Sequence, residues 1–434
     1  MWGASRMQCD ITRMMKRVPL IAGFLLAAVW PAPAQEPRLW VLRAPGEMVE
    51  YDVTTFAAKQ TVKVPADAVQ SPQNLAVNGL GQMLFAPATS LPLAESDVST
   101  AHKVWFWDGH NAVTIDQGVS RKLAHQGSNQ AINESAPVPY LSADGAHLFW
   151  FANEARRLQR EDEDLSTLNT WEAWLTDLSG NGREDLASLK LPDCTCATGS
   201  CEESCPYEQA WAPERGVGKF FFLTQFTAGR TQGVFKDTAR YEENAGKWIS
   251  SELTSPLHRV LDTSGDGKTV VEAIPDTGCC GWVNESNDQT VVQSGGKSLT
   301  VFDERATYQN PDYDVSFYTA NARLSPESGF VAMTIVATAE PNQPIQLAEE
   351  GEANPEESQN IRKGLAELPL VEVKAMEESA RSVAHLPHAT FVGWISEKEI
   401  LMVEGHFLVA YNVATRARRK STIHVEDAAH VFLR

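Results

Sequence analysis

Basic residues are in short supply in this chain: 37 Lys and Arg stand against 56 Asp and Glu, a formal net charge of −19 over 434 residues. So acidic a balance disfavours nucleic acid and anionic lipid as partners, neither of which is expected here, and favours solubility. Long hydrophobic runs are missing too. The apolar stretch from Val18 to Trp30 has 13 residues, short of the roughly 20 that a membrane-crossing helix needs, and no later stretch is long enough, so no membrane span is expected. The signatures of several enzyme classes are also absent: no complete Gly-x4-Gly-Lys-Ser/Thr phosphate loop, no Gly-x-Ser-x-Gly elbow and no His-Glu-x-x-His zinc motif. A nucleophilic triad assembled only by folding would not be visible at this level.

What is present begins with a leader. Met15-Lys16-Arg17 precede the apolar run, and Pro31-Ala32-Pro33-Ala34-Gln35 follow it, the layout of a secretory signal with an A-x-A cleavage site. Residues 1–34 are therefore expected to be a signal peptide, read from Met15, leaving a single mature domain over 35–434 that is periplasmic or secreted. No Cys stands at the cleavage point, so no lipid anchor is expected. Losing Arg6, Arg13, Lys16 and Arg17 together with Asp10 would make the chain three units more acidic.

Cysteine is sparse and clustered. Cys9 lies in the leader; Cys194, Cys196, Cys201 and Cys205 form one group, and Cys279 and Cys280 are adjacent. An even number in an exported chain implies disulfides, but the sequence does not choose among the fifteen pairings. Bonds between the two groups and a strained vicinal Cys279–Cys280 bond are both open. Zinc is the rival reading, though Cys-x-Cys-x4-Cys-x3-Cys has the spacing of neither a zinc knuckle nor a ribbon.

The dominant pattern is a strand, a polar turn and a second strand. Residues 141–151, Leu-Ser-Ala-Asp-Gly-Ala-His-Leu-Phe-Trp-Phe, carry an Asp-Gly turn between β-formers, a strong hairpin signal. Looser copies stand at 75–85, 218–223, 286–292, 324–332 and 395–402, and residues 104–115 supply another hairpin. Three strands fit residues 39–64, and 430–434 reads as a short strand that would complete their sheet. The expected fold is all-β: a propeller of about seven blades whose ring is closed by the N- and C-terminal strands sharing one blade. Six blades remain open, and eight if residues 261–271 form a further hairpin.

The Ser-x-Asp-Gly turns, together with segments such as residues 409–415, Val-Ala-Tyr-Asn-Val-Ala-Thr, resemble the bacterial periplasmic propellers of the TolB and YncE type, which are WD40-like. That resemblance implies a propeller across most of the mature chain. The expected function is non-catalytic: an exported, monomeric binding or scaffolding module whose partner is a protein or polysaccharide of the cell envelope. The alternative is a propeller hydrolase or lyase with its active site at the mouth of the axial channel.

Candidate sites are few. In residues 177–186 oxygen side chains fall at Asp177, Ser179, Asn181 and Asp185, with Gly182 at the bend and the Arg183 carbonyl available. This matches much of what a calcium loop needs and resembles the loops of FG-GAP repeats; an Asn-Gly hairpin explains the same glycines without calcium. Residues 262–267 are a poorer version. Trp282, Asn284, Glu285 and Asp288, beside the Cys pair, are a candidate ligand-binding group, against a disulfide-clamped turn over a core Trp. Asp276-Thr277-Gly278 is an isolated aspartic-protease tripeptide without a second Asp partner. His385 and His388 are the nearest histidine pair, but Pro387 disfavours a helix that would present both. The tryptophans fit blade core. Residues 153–166 read as a charged excursion, and 340–362 as a mobile acidic insert.

Overall fold

The computed structural model describes residues 36–87, 98–124, 130–134, 136–142, 145–158, 165–190, 194–196, 207–211, 220–227, 234–244, 247–252, 259–277, 283–308, 315–339, 355–377 and 379–434. Residues 37–434 form one compact unit, built mainly of antiparallel strands. Among the described residues five sheets have four strands each, and a sixth has ten. The ten-stranded sheet holds two meanders joined by the strand Gln130–Glu134, which pairs with Ala112–Ala124 on one side and His147–Leu158 on the other. In the first sheet Val431–Leu433 pairs with Leu39–Arg43, placing Leu433 opposite Leu39 and Val431 opposite Val41.

Alternation explains how the sheets assemble, since neighbouring side chains on a strand point to opposite faces. Leu39 and Val41 pack with Val392, Leu401 and Leu408 of the last sheet. Trp40 and Leu42 instead meet Leu75, Met83 and Trp107. The sheet before the last divides in the same way: Ala332, Val371 and Val373 face Phe391, Ile400 and Met402, while Val331, Met333 and Leu370 face Val271, Val292 and Phe302. These sheets therefore bury both faces against neighbours. The leading strands Arg259–Thr263, Val315–Leu324, Ala389–Ser396 and Val431–Leu433 contact one another in sequence. Four-stranded meanders stacked face to face around their leading strands are the arrangement of a β-propeller.

One turn design recurs at the end of the leading strand. The Ser142, Ser264 and Ser325 hydroxyls accept the N–H groups of His147, Thr269 and Phe330 at 3.0, 2.9 and 2.9 Å. Three residues after each Ser the chain takes a left-handed φ: +66° at Gly145, +66° at Gly267 and +61° at Ser328. Glycine meets that requirement freely; Ser328 meets it at a steric cost.

The structure departs from the sequence reading in three places. Residues 286–289, expected to be a turn, lie within the continuous strand Val283–Ser294, and the hairpin of that sheet is formed by Arg259–Thr263 and Thr269–Thr277. Much of the charged excursion at 153–166 is strand, because His147–Leu158 and Leu165–Asp177 stay paired as far as Leu158 opposite Ser166. The later part of the acidic insert is helical: Pro355–Glu367 is a helix with Pro at its first position, where its missing N–H costs nothing. Its buried Ile361, packed with the partly buried Leu365 against the core, supplies the apolar stripe. Residues 340–354, the leader and its cleavage site, Cys201, Cys205, Cys279, Cys280 and Trp282 lie outside the described residues. Among the described residues no helix is long and apolar enough to cross a membrane.

Candidate functional site

Burying Ile361 lays the helix Pro355–Glu367 across the edge of the sheet before the last and leaves a cleft of about 200 Å³ beneath it. Phe302, Ile335 and Leu370 give the cleft its apolar lining; Asn360, Lys363, Gly364 and Glu367 contribute from the helix. Tyr308 closes one side. It ends the short helix Glu304–Tyr308, and its ring stacks on Phe317 with centroids 3.8 Å apart. The helix passes so close that a Cβ on Gly364 would lie 2.5 Å from a Tyr308 ring carbon. Glycine is required there by space, not by backbone angle.

Burial, reinforced by the charges of Glu367, Glu372 and Glu304, pushes the Tyr308 ionisation well above its ordinary value. The phenol therefore stays protonated and is a donor. It makes no hydrogen bond within the described residues.

The polar wall comes from strand pairing. Leu370–Ala375 and Arg381–Pro387 set Glu372 opposite His385, and the imidazole lies between two carboxylates. Its Nδ1 is 2.9 Å from Glu372 Oε2 and its Nε2 is 2.9 Å from Glu367 Oε2. Both nitrogens donate at once only when the ring carries two protons. Glu372, with its side chain 8% exposed, also forms an ion pair with Lys374 Nζ at 3.1 Å and accepts from the Ser382 hydroxyl. The cluster fastens the end of the helix to the sheet edge. Ser382 and His385 each bond to Glu372 and not to each other. Lys363 is exposed and has no ion pair within the described residues.

In the turn after Leu165–Asp177, two of the candidate calcium oxygens make local bonds. Asp177 Oδ1 accepts the N–H groups of Ser179 and Asn181 at 2.8 and 2.9 Å. Arg183 pairs with Asp185 at 2.6 Å and Glu172 at 2.8 Å, and its guanidinium lies 4.1 Å from the Trp174 ring centroid. Although partial burial works against the charge, these two carboxylates raise the Arg183 pKa further. A fixed cation thus sits on one of the oxygens that calcium would use.

The other sequence candidates are scattered. Cys194 and Cys196 lie on a short strand paired with Leu165–Asp177. Asn284, Glu285 and Asp288 lie on Val283–Ser294, where pairing slips at Asp288: Gln289 faces Ile274 but Asn287 faces Pro275. Such a bulge re-aims the chain locally. His388 is separated in role from His385; it has φ +58° and donates its backbone N–H to the Glu367 carbonyl at 3.0 Å. Trp394, at 6% exposure, is core and donates to the Arg323 carbonyl.

Neither family models nor curated proteins match the chain. Among solved structures, apo AztD from Citrobacter koseri aligns over 90% of this chain and 96% of that one, at 10% identity and a TM-score of 0.39. A second AztD crystal structure from the same organism covers 90% and 95% at 10% identity and 0.36. The WD40 domain of SCAP from fission yeast covers 88% and 80% at 8% identity and 0.31. The propeller assignment rests on the chain's own sheets.

Sequence reasoning missed the cleft. Glu367, Glu372 and His385 are separated by 5 and 13 positions with no motif between them. The nearest signal was His385 itself.

Proposed function

We propose that this chain is an exported, non-catalytic β-propeller of the TolB and YncE kind, which binds a protein or polysaccharide partner of the cell envelope. It has seven blades when the two meanders of the ten-stranded sheet are counted separately, and the first and last strands close the ring by sharing a blade. Its cysteines pair in the oxidising compartment. The observation that carries the non-catalytic part of the reading is the cleft under Pro355–Glu367: apolar lining, polar rim, and a His385 and Ser382 that each bond to the Glu372 carboxylate and not to each other. A pocket with apolar walls and no nucleophile–base pair among its described residues fits holding a ligand better than turning one over.

Affinity capture from envelope fractions, with the mature protein as bait and both proteins and glycans identified, tests the reading. Recovery of one species, competed away by free protein, supports it. Hydrolysis or elimination in a panel of peptide and glycoside substrates overturns it in favour of the enzyme alternative.

A further inference from the structure

We infer that the cleft beneath the helix Pro355–Glu367 is a binding site for a small monocarboxylate with an apolar body about the size of one six-membered ring. The inference rests on the reading of the chain as a non-catalytic binder and assigns that cleft a ligand class. Size comes first. At about 200 Å³ the space exceeds the roughly 150 Å³ that accommodates benzene in an apolar cavity and falls below the roughly 300 Å³ at which pockets for drug-sized molecules begin. One ring and one functional group fill it.

Polarity comes next, and it is one-sided. Both Glu372 oxygens are already engaged, one by His385 and the other by the Ser382 hydroxyl and the Lys374 ammonium. One Glu367 oxygen is likewise taken by His385. On the donor side, Tyr308 is 7% exposed with no partner for its hydroxyl within the described residues, and Lys363 has no ion pair there. The groups open to a ligand are therefore donors, and the partner they take is an acceptor. A carboxylate supplies two oxygens, one for the phenol and one for the ammonium, while the ring rests on Phe302 and Ile335. Charge limits the ligand to a monoanion: Glu367 and Glu372 lie on the same lining, well inside the roughly 8 Å over which physiological salt screens, so a second negative charge is repelled.

Benzoate titrated into the full mature protein by calorimetry, with ligand-observed NMR in parallel, tests this. Benzoate is expected to bind with a dissociation constant below about 1 mM, and benzamide, the neutral analogue, about tenfold more weakly. Tyr308→Phe keeps the stacked ring and Lys363→Met changes an exposed side chain; each is expected to weaken benzoate about tenfold with the melting temperature unchanged. The proposal is overturned if benzoate does not bind up to 10 mM (about the weakest affinity of interest), if benzamide or inorganic phosphate binds equally well, or if both variants bind benzoate as the native protein does. Benzoate recovered intact after long incubation leaves the non-catalytic reading standing; its conversion ends that reading. Failure to bind benzoate alongside successful envelope capture ends the cleft assignment alone.

Discussion

Replacing Glu372 by Gln is the most informative single perturbation, because it preserves side-chain shape while removing the charge on which three groups converge. Breaking a fully buried ion pair by deleting one partner costs about 3–5 kcal/mol. Here the carboxylate is 8% exposed, but Lys374 is 23% and His385 51% exposed. Water therefore takes over part of what they lose, and the Ser382 hydroxyl still finds an acceptor in the amide. We expect a loss of about 2 kcal/mol after that discount, which lowers the melting temperature by about 4 °C or less in a chain of this size. Differential scanning calorimetry near pH 6 reads the effect. A double-mutant cycle with His385→Gln separates the pair from its surroundings: neighbours in one network are expected to show coupling of about 1 kcal/mol. Losses below about 0.5 kcal/mol with simple additivity, as for surface pairs, would refute the view that this cluster fastens the helix to the sheet.

Four further outcomes follow from the same geometry. Gly364→Ala gains about 1 kcal/mol of helix propensity, but its Cβ meets Tyr308 at 2.5 Å and Phe317 at 3.1 Å; overpacking of about 1–3 kcal/mol should outweigh it and lower the denaturation midpoint. Burial opposes the charge on His430, but hydrogen bonds to Asp427 and the Val69 carbonyl outweigh it and hold the pKa above 6.5. Its stabilisation is therefore complete below pH 6.5 and lost as pH rises through the higher folded value, so the melting temperature should fall in that window more for the native protein than for His430→Gln; equal slopes would contradict this. Ser264→Ala should cost about 1 kcal/mol, whereas Ser325→Ala should cost more: both hydroxyls also donate to a carboxylate at 2.8 Å, Asp266 and Glu397 respectively, but Ser325 is 1% exposed and Ser264 is only half-buried; urea titration of both variants compares them. Added calcium and chelation should both leave the melting temperature unchanged, since Asp177 and Asp185 are engaged by Ser179, Asn181 and Arg183; a rise with calcium concentration would establish the metal reading instead.

Much of the architecture was legible because its causes are local. The Ser-x-Asp-Gly turns announce themselves through a hydroxyl that bonds five residues ahead and a glycine that takes a left-handed φ. The strand at 431–433 was visible as an apolar segment with a ready partner in residues 39–43. Errors arose where composition was read without position. Asn287-Asp288 looks like a turn but is carried through as strand by pairing with Pro275 and its neighbours. The acidity of 340–362 hid a helix whose apolar anchor, Ile361, is too isolated to register as a stripe.

The sequence alone determined the all-β class and the alternation that buries both faces of a strand such as Leu39–Arg43, because turn chemistry and period-two patterning act between residues a few positions apart. Tertiary structure alone decided the cleft. Tyr308, Lys363, Glu372 and His385 come from four separate elements, and their meeting depends on strand register and on where a helix docks, which no short window of sequence encodes.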